Sequence, residues 1–474
     1  MKYLSNLTKI ILLGFIINLT ASILYVKNFD QNIIVENTYK NQMIKADIAY
    51  YNLNAAKILN NLKNKEKIFN QEYYRSFLPQ IIIATYYKII NREIIENQYS
   101  LDLEKEKEII FKTNNGKTGF FFLQILIYFI SVYAFYKVLL NHFPKKYSLL
   151  VLGLLTIEPT INQYHSSFFT ESIYISLMIV LLSLTLLKKK NYKIFVSMGL
   201  LLGLMYAQRS ISIGLFLPII IFLIITEKKK LIPIITIMIS MMIVILFIGT
   251  INYKRSGIFY TTSYQSKTGF FRYVVPYLLT KEKDISGIEA RKLREKIKNK
   301  WIDEHQLNLN LEIDRLKLYE LKKEYSLGLI RNNFFSFIKY HSWKTLQTII
   351  LDPFQVFKEY FFDKSQKNDK GQRYWEYDKN YKKLFLISII YSFFIYIISF
   401  IGLLKILKDF QKKNINFHQI KIFFLFTLMI LYFLGISGWI GNPRYFTPCT
   451  IFLFFFTAEG ILSIKNFLKK RLCI

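Results

Sequence analysis

Long apolar segments, separated by short basic loops, recur along most of the chain. The segment "FFFLQILIYFISVYAFY" at 120–136 is typical, and it approaches the roughly 20 apolar residues that cross a bilayer as a helix. The pattern predicts an all-α polytopic membrane protein with about ten transmembrane helices. We place these spans near 8–26, 119–140, 147–158, 170–187, 193–208, 211–226, 231–250, 384–404, 420–437 and 447–464.

Lysine and arginine in the loops between the spans predict the orientation of the chain. With the N-terminus in the cytoplasm, one side of the membrane receives the basic loops "HFPKKY", "KKKNYK", "EKKK" and "KILKDFQKK" and the tail "KNFLKKR". Cytoplasmic loops of membrane proteins carry such an excess of positive charge. The first span has the charged start and apolar middle of a signal peptide. No clear cleavage motif of small residues follows it, so we expect an uncleaved anchor.

Two long hydrophilic segments fall on the opposite, extracytoplasmic side. Loops of this length are uncommon without structure of their own, and both contain helical patterns. In "DIAYYNLNAAKILNNLK" one helical face carries Tyr51, Ala55, Ile58 and Leu62, and the second loop has a charged helical stretch at 288–325. The predicted units are helices one to seven in 1–250, including the first outer loop at 27–118, then the second outer loop at 251–383, and helices eight to ten in 384–474.

Composition changes this picture little. The chain of 474 residues is 52% hydrophobic and carries a formal net charge of +32. Much of the positive excess lies in short loops beside the spans, so we attribute it to membrane orientation and expect no nucleic-acid partner. The two cysteines, Cys449 in a span and Cys473 at the tail, are expected to lie too far apart to form a disulfide.

Five short motifs on the extracytoplasmic side occur in an order typical of one enzyme family. They are an acidic residue opening a helix (Asp47, Tyr51, Ala55), "RSFLP" at 75–79, "EPTINQYHSSFFTES" with Glu158 and Glu171, "GLLLGLMYAQRS" with Arg209, and "GNPRYFTP" with Arg444 and Tyr445. In this order they resemble the GT-C membrane glycosyltransferases that use polyprenyl-phosphate sugars. That superfamily includes the protein O-mannosyltransferases and the bacterial aminoarabinose-lipid transferases. One departure is that Asp47 is followed by Ile48 rather than by a second acidic residue.

The resemblance implies a hexosyltransferase-like enzyme, expected to invert the sugar configuration, in a bacterial inner (plasma) membrane. Its active site would face the periplasm or the outside. The donor would be a polyprenyl-phosphate-linked sugar, the acceptor would be a lipid, a polysaccharide or a protein, and membrane lipids would surround the enzyme. These motifs identify no particular cofactor, and a divalent metal ion remains an open alternative.

Transfer from such a donor needs a base for the proton of the acceptor and positive charge on the departing phosphate. Asp47 is the candidate general base, because the start of a helix helps to keep a carboxylate ionised. Glu158 is the second catalytic candidate, which would orient the acceptor, share a proton or help to hold a metal ion. Arginine binds phosphate bidentately and keeps its charge, which makes Arg209, Arg444 and Arg255 candidates for binding the donor phosphate. The candidates for lining the substrate pocket are Tyr51, Tyr445, His165 and Glu171.

Simpler interpretations stay open for these residues. Asp47 fits a plain helix N-cap, Glu171 fits a first-turn helix charge, and the arginines fit snorkelling at the membrane interface. Three other functions also stay open: a polysaccharide ligase or polymerase, a transporter or flippase for lipid or polysaccharide, and a non-catalytic assembly protein of the envelope. Transporters tend to show internal repeats and ionisable residues near the midplane, and this chain has no convincing repeat.

Overall fold

A computed structural model of the protein describes residues 5–29, 34–35, 45–64, 76–91, 109–110, 117–167, 170–227, 231–262, 264–309, 311–354, 365–367, 373–375, 379–413, 416–437 and 440–472. The membrane helices and the helices of the first outer loop are α1 Asn6–Phe29, α2 Lys45–Lys63, α3 Phe77–Ile89, α4 Lys117–Leu139, α5 Lys145–Ile157, α6 Pro159–Asn162, α7 Glu171–Thr185, α8 Tyr192–Gln208, α9 Phe216–Thr226 and α10 Leu231–Ser256. The later helices are α11 Tyr264–Glu282, α12 Gly287–Glu304, α13 Glu312–Asn332, α14 Phe334–Thr348, α15 Lys379–Gln411, α16 Phe417–Ser437 and α17 Thr450–Leu472.

Short 3₁₀ turns and two small antiparallel strand pairs complete the described structure. The 3₁₀ turns cover Gln163–Ser166, Ser210–Leu215, Pro443–Tyr445 and Thr447–Cys449. The strand pairs are β1 Ile34–Val35 with β2 Ile109–Ile110, and β3 Ser365–Lys367 with β4 Arg373–Trp375.

Among the described residues, six helices are long and apolar enough to cross a membrane. They are α1, α4, α10, α15, α16 and α17. Three shorter apolar segments, Glu171–Thr185, Tyr192–Gln208 and Ser210–Thr226, coincide with further predicted spans. The third predicted span corresponds to α5, which has 13 residues. The all-helical membrane architecture is therefore confirmed, while the number of about ten spans stays a prediction.

Glycines allow α8 and α10 to pack closely against each other. A Cβ atom on Gly199 would overlap the backbone oxygen of Ile237, and one on Gly203 would lie 2.6 Å from the Cβ atom of Val244. Small residues permit this backbone approach between helices in a membrane. The packing brings the end of α8, just before Arg209, beside the outer part of α10.

The described helices of the predicted first outer loop, α2 and α3, pack onto the start of α4. Tyr51, Ala55 and Ile58 are 4%, 0% and 4% exposed, so the apolar face predicted for α2 is buried. This face packs on residues of α3 and α4 that include Ile83, Ala84, Tyr87, Phe120 and Phe121. Burial of the face holds α2 against the membrane helices on the side of the predicted active site.

Among the described residues of the predicted second outer loop, four helices (α11 to α14) share a core that is formed in part by Val274, Val275 and Leu278 of α11. The stretch at 288–325, predicted to be charged and helical, lies in two helices, α12 and α13. Ser286 and Glu289 form a capping box that begins α12. The chain then turns after Glu304, with a positive φ of 49° at Gln306, before α13 begins.

Candidate functional site

Three charged residues come from three separate junctions of the fold. Glu171 is the first residue of α7, Arg209 directly follows α8, and Arg444 lies in the short 3₁₀ turn before α17. Each of these junctions adjoins an apolar helix, so each of the three residues lies at or near the end of a membrane helix. The sequence predicts functional roles for all three residues, and the structure brings them into direct contact.

The carboxylate of Glu171 lies between the two guanidinium groups. Its Oε1 atom accepts a hydrogen bond from Nη1 of Arg209 at 2.9 Å and a second one from Nε of Arg444. Glu171 is 0% exposed, and the two arginines are 9% and 8% exposed. One buried carboxylate thus forms ion pairs with two arginines that come from different junctions of the fold.

Aromatic rings fix the orientation of the Arg209 guanidinium group. Its central carbon lies 5.5 Å from the ring centre of Tyr174 and 5.0 Å from that of Tyr445. A guanidinium group within about 6 Å of an aromatic face is attracted by the ring. Tyr445 therefore contacts the cluster as the sequence predicts, and Tyr174 is a further member.

Tyr51 of α2 also faces this cluster. Burial raises the pKa of its phenol above the usual range, and the nearby Arg444 and Arg209 lower this pKa while Glu171 raises it. The phenol is therefore neutral and makes a hydrogen bond with Ser76. Of the residues predicted from the sequence, Glu171, Arg209, Arg444, Tyr445 and Tyr51 thus come together.

A cavity of about 350 Å³, including the part open to solvent, lies beside the cluster. Its walls are the start of α3, the end of α8, the outer part of α10 and the segment that follows α10. The lining residues are Ser76, Phe77, Tyr206, Ala207, Ser210, Ile248, Asn252, Tyr260, Thr261 and Thr262. None of these side chains is charged, and most of them carry a hydroxyl or an amide.

Glu158 occupies a second buried position and is bonded on both carboxylate oxygens. Its Oε2 atom accepts from the backbone N–H of Ile161 at 3.0 Å and from the hydroxyl of Thr160. Its Oε1 atom accepts from the hydroxyl of Tyr391 at 2.6 Å. Glu158 thus caps α6, with Pro159 as the first residue of that helix. Its catalytic role stays a prediction.

His165 is fully buried behind Glu171. Its Nδ1 atom lies 2.7 Å from the hydroxyl oxygen of Ser172, the residue after Glu171. The imidazole ring packs on the ring of Tyr128, with 4.4 Å between centres. These contacts link His165 to the start of α7. A direct role in the substrate pocket stays a prediction.

Arg255 forms an ion pair with Glu312. Both of its Nη atoms donate to the carboxylate of Glu312 on α13, and Nη2 also donates to the hydroxyl of Tyr260. This bidentate pair ties the outer end of α10 to the second outer loop. Phosphate binding by Arg255 stays a prediction, and the described contacts assign it a structural role.

Asp47 lies in the first turn of α2, but its side chain lies outside the described residues, and so does Arg75 of the "RSFLP" motif. Within the described part of the chain, no three His, Cys, Asp or Glu side chains are arranged to hold a metal ion. The assignment of Asp47 as general base therefore stays a prediction, and a divalent metal ion stays an open alternative.

Sequence reasoning missed several contributors to these sites, among them Tyr174, Tyr391, Ser76 and Asn252. Tyr174 is one helical turn after Glu171, so spacing on α7 offers a signal for it. Tyr391 and Asn252 sit within long apolar helices, where a polar side chain is itself a functional indication. Nothing in their local sequence indicates which partner each one contacts.

Comparisons with known proteins agree with the geometry. The family model for dolichyl-phosphate-mannose-protein mannosyltransferase matches residues 108–252. No curated protein matches the sequence. The archaeal oligosaccharyltransferase AglB from Archaeoglobus fulgidus, in complex with an inhibitory peptide and a dolichol-phosphate, is similar with a TM-score of 0.51 and 12% identity. That match covers 98% of this chain and 51% of AglB.

Two further structures of the Archaeoglobus fulgidus oligosaccharyltransferase are similar. One is tethered to an acceptor peptide containing the NVT sequon (TM-score 0.51, 12% identity, 98% of this chain and 50% of that one). The other is a complex with Zn and sulfate (TM-score 0.50, 13% identity, 98% and 50%). The chain spans about half the length of these enzymes. The resemblance to the GT-C glycosyltransferases is confirmed, in fold over nearly the whole chain and in sequence over residues 108–252.

Proposed function

We propose that the protein is a membrane glycosyltransferase that moves a sugar from a polyprenyl-phosphate donor to an acceptor on the extracytoplasmic face. The observation that carries this proposal is the buried cluster of Glu171, Arg209 and Arg444, which lies beside a cavity lined by uncharged side chains. Arginine keeps its charge when it is buried, and its planar guanidinium group matches the geometry of phosphate oxygens.

The contacts of Arg209 suit it to receive a leaving phosphate. Its bond to Glu171 uses one of roughly five N–H donors that a guanidinium group offers. Tyr174 and Tyr445 hold the group in place before the donor arrives. Positive charge fixed in advance at the leaving group stabilises the transition state without reorganisation during the reaction.

The reaction is a single displacement at the anomeric carbon of the sugar. An oxygen of the acceptor forms a bond to this carbon while the bond from the carbon to the phosphate oxygen breaks. The electron pair leaves with the polyprenyl phosphate, whose charge Arg209 and Arg444 stabilise. The proton of the acceptor passes to the carboxylate of Asp47, the proposed general base. One displacement of this kind inverts the configuration at the anomeric carbon.

The comparisons support a polyprenyl-phosphate donor. The matching family is described by a dolichyl-phosphate-linked mannose donor and a protein acceptor, and one similar structure contains a dolichol-phosphate. A similar structure with an acceptor peptide supports a protein among the acceptors, and lipid and polysaccharide remain the other candidates. We place the reaction on the outer face of a bacterial inner membrane.

The test is transfer of labelled sugar by membranes that contain the wild type, Arg444→Gln or the control Arg291→Gln. Arg291 is an exposed arginine on α12 of the outer domain, so its loss should leave turnover unchanged. Membranes receive a panel of polyprenyl-phosphate hexoses labelled in the sugar, and label is followed into lipid, polysaccharide and protein. We expect Arg444→Gln to lose about 100-fold in kcat/KM. Equal transfer by Arg444→Gln and the wild type would refute the proposed phosphate site.

A further inference from the structure

The uncharged cavity beside the arginine cluster contains a buried polar atom without a partner among the described residues. Asn252, near the outer end of α10, lines the cavity and is 2% exposed. Its Nδ2 atom donates to the backbone oxygen of Tyr260 at 2.6 Å. Its Oδ1 atom has no hydrogen-bond partner among them. A buried polar atom left unsatisfied is destabilising, so such an atom calls for an explanation.

The bond to Tyr260 determines what Asn252 can recognise. Because Nδ2 is held by a backbone oxygen, the amide cannot flip without losing that bond, and Oδ1 is the atom left without a partner among the described residues. A carbonyl oxygen only accepts hydrogen bonds. The complementary ligand group is therefore a donor, such as a hydroxyl.

The other walls of the cavity match a polyhydroxylated, uncharged ligand. Tyr206 donates its hydroxyl hydrogen to the hydroxyl oxygen of Thr261 at 3.2 Å, which leaves the Thr261 hydrogen to be donated onward. Ser210 and Thr262 add hydroxyls, and Phe77 adds an aromatic surface. Pockets that combine apolar or aromatic walls with a few convergent polar groups are typical of small-ligand sites. Since no lining side chain is charged, the ligand group is not itself an ion.

The position of the cavity connects it to the phosphate site. Ser210 directly follows Arg209, and Ser76 is hydrogen bonded to Tyr51, which faces the cluster of Glu171 and the two arginines. A group that occupies the cavity is thus adjacent to an anion bound at Arg209. In a polyprenyl-phosphate sugar, the sugar ring is the neutral hydroxyl-bearing group bonded directly to the phosphate.

We propose that this cavity binds the sugar ring of the donor and that Asn252 is a specificity-determining residue that accepts a hydrogen bond from one sugar hydroxyl. This inference rests on the proposed function. It goes further by assigning the sugar to a definite set of residues and by separating sugar recognition from phosphate recognition.

The test measures ligand-induced thermal stabilisation of the purified full-length protein in lipid nanodiscs. The two probes are polyprenyl phosphate and polyprenyl-phosphate mannose, and the latter is compared with its monodeoxy analogues. The variant is Asn252→Leu, which has a similar volume and no acceptor. The matched control is Asn18→Leu, because Asn18 on α1 is also 2% exposed, also has an unpartnered Oδ1 atom among the described residues and does not line the cavity.

We expect the wild type and Asn18→Leu to bind the mannose-bearing lipid more tightly than polyprenyl phosphate alone. Asn252→Leu should keep its affinity for polyprenyl phosphate and lose about 2- to 10-fold in affinity for the sugar-bearing lipid. Removing the hydroxyl that Asn252 recognises should weaken binding to the wild type and leave binding to Asn252→Leu unchanged. The opposite result is that the sugar raises the affinity of Asn252→Leu and of the wild type for the lipid by the same factor, with the same preference among the analogues. In that case the inference is wrong while the proposed function stands. If neither the wild type nor the two variants bind either lipid, the proposed function itself is wrong, and the inference that rests on it is wrong as well.

Discussion

Replacing Glu171 by glutamine tests the central feature of the site, the carboxylate shared by two buried arginines. Glutamine keeps the shape of the side chain and one carbonyl oxygen, and it removes the negative charge. The change leaves Arg209 and Arg444 as two buried positive charges that face a neutral amide. Since Glu171 itself is 0% exposed, water does not replace the lost charge.

The expected loss of stability follows from the two bonds to Oε1 of Glu171. A hydrogen bond to a charged group contributes about 1.5–3 kcal/mol, and removing one partner of a buried ion pair costs about 3–5 kcal/mol. We expect Glu171→Gln to lower the free energy of unfolding by about 3–5 kcal/mol. Arg209→Gln should cost less, because Glu171 and Arg444 then remain as a balanced pair.

Reversible unfolding in mixed detergent micelles, followed by intrinsic fluorescence, gives the free energies for the wild type and both variants. A second measurement adds sulfate, a small anion that should stabilise Glu171→Gln more than the wild type, because the variant lacks the carboxylate that competes with sulfate for the two arginines. The reasoning is refuted if Glu171→Gln unfolds within about 1 kcal/mol of the wild type, or if Arg209→Gln is the more destabilised variant.

Two further predictions concern Asp47, the proposed base, and His142. Asp47→Asn should abolish sugar transfer while membrane insertion and thermal stability stay at wild-type levels; wild-type turnover in this variant would eliminate Asp47 as the base. Burial lowers the pKa of His142, in the connection between α4 and α5, to about 4. As the pH falls, His142 therefore takes up a proton in the unfolded chain at a higher pH than in the folded protein. The free energy of unfolding should decrease as the pH falls from about 6.5 to about 4, by up to about 3 kcal/mol. Unfolding midpoints of the wild type and His142→Gln across this range check the sign, and equal pH dependence in the two proteins would contradict it.

The helices could be predicted because their signal is local. Apolar length marks the spans, and the spacing of Tyr51, Ala55 and Ile58 marks the buried face of α2. The turn between α12 and α13 has no clear signal in the sequence, because the segment "HQLNLNL" at 305–311 contains neither a proline nor a glycine to mark a helix end. The helices there separate at a turn whose geometry depends on residues such as Gln306 with its positive φ.

The pairing of charges could not be predicted, because it depends on contacts between distant parts of the chain. Arg209 and Arg255 have similar local patterns, since each lies at the end of an apolar helix. In the fold, Arg209 meets Glu171, whereas Arg255 meets Glu312, which lies 57 residues further along the chain. Glu158 shows the opposite case, because the Glu-Pro sequence at the start of α6 indicates a helix cap without any knowledge of the fold.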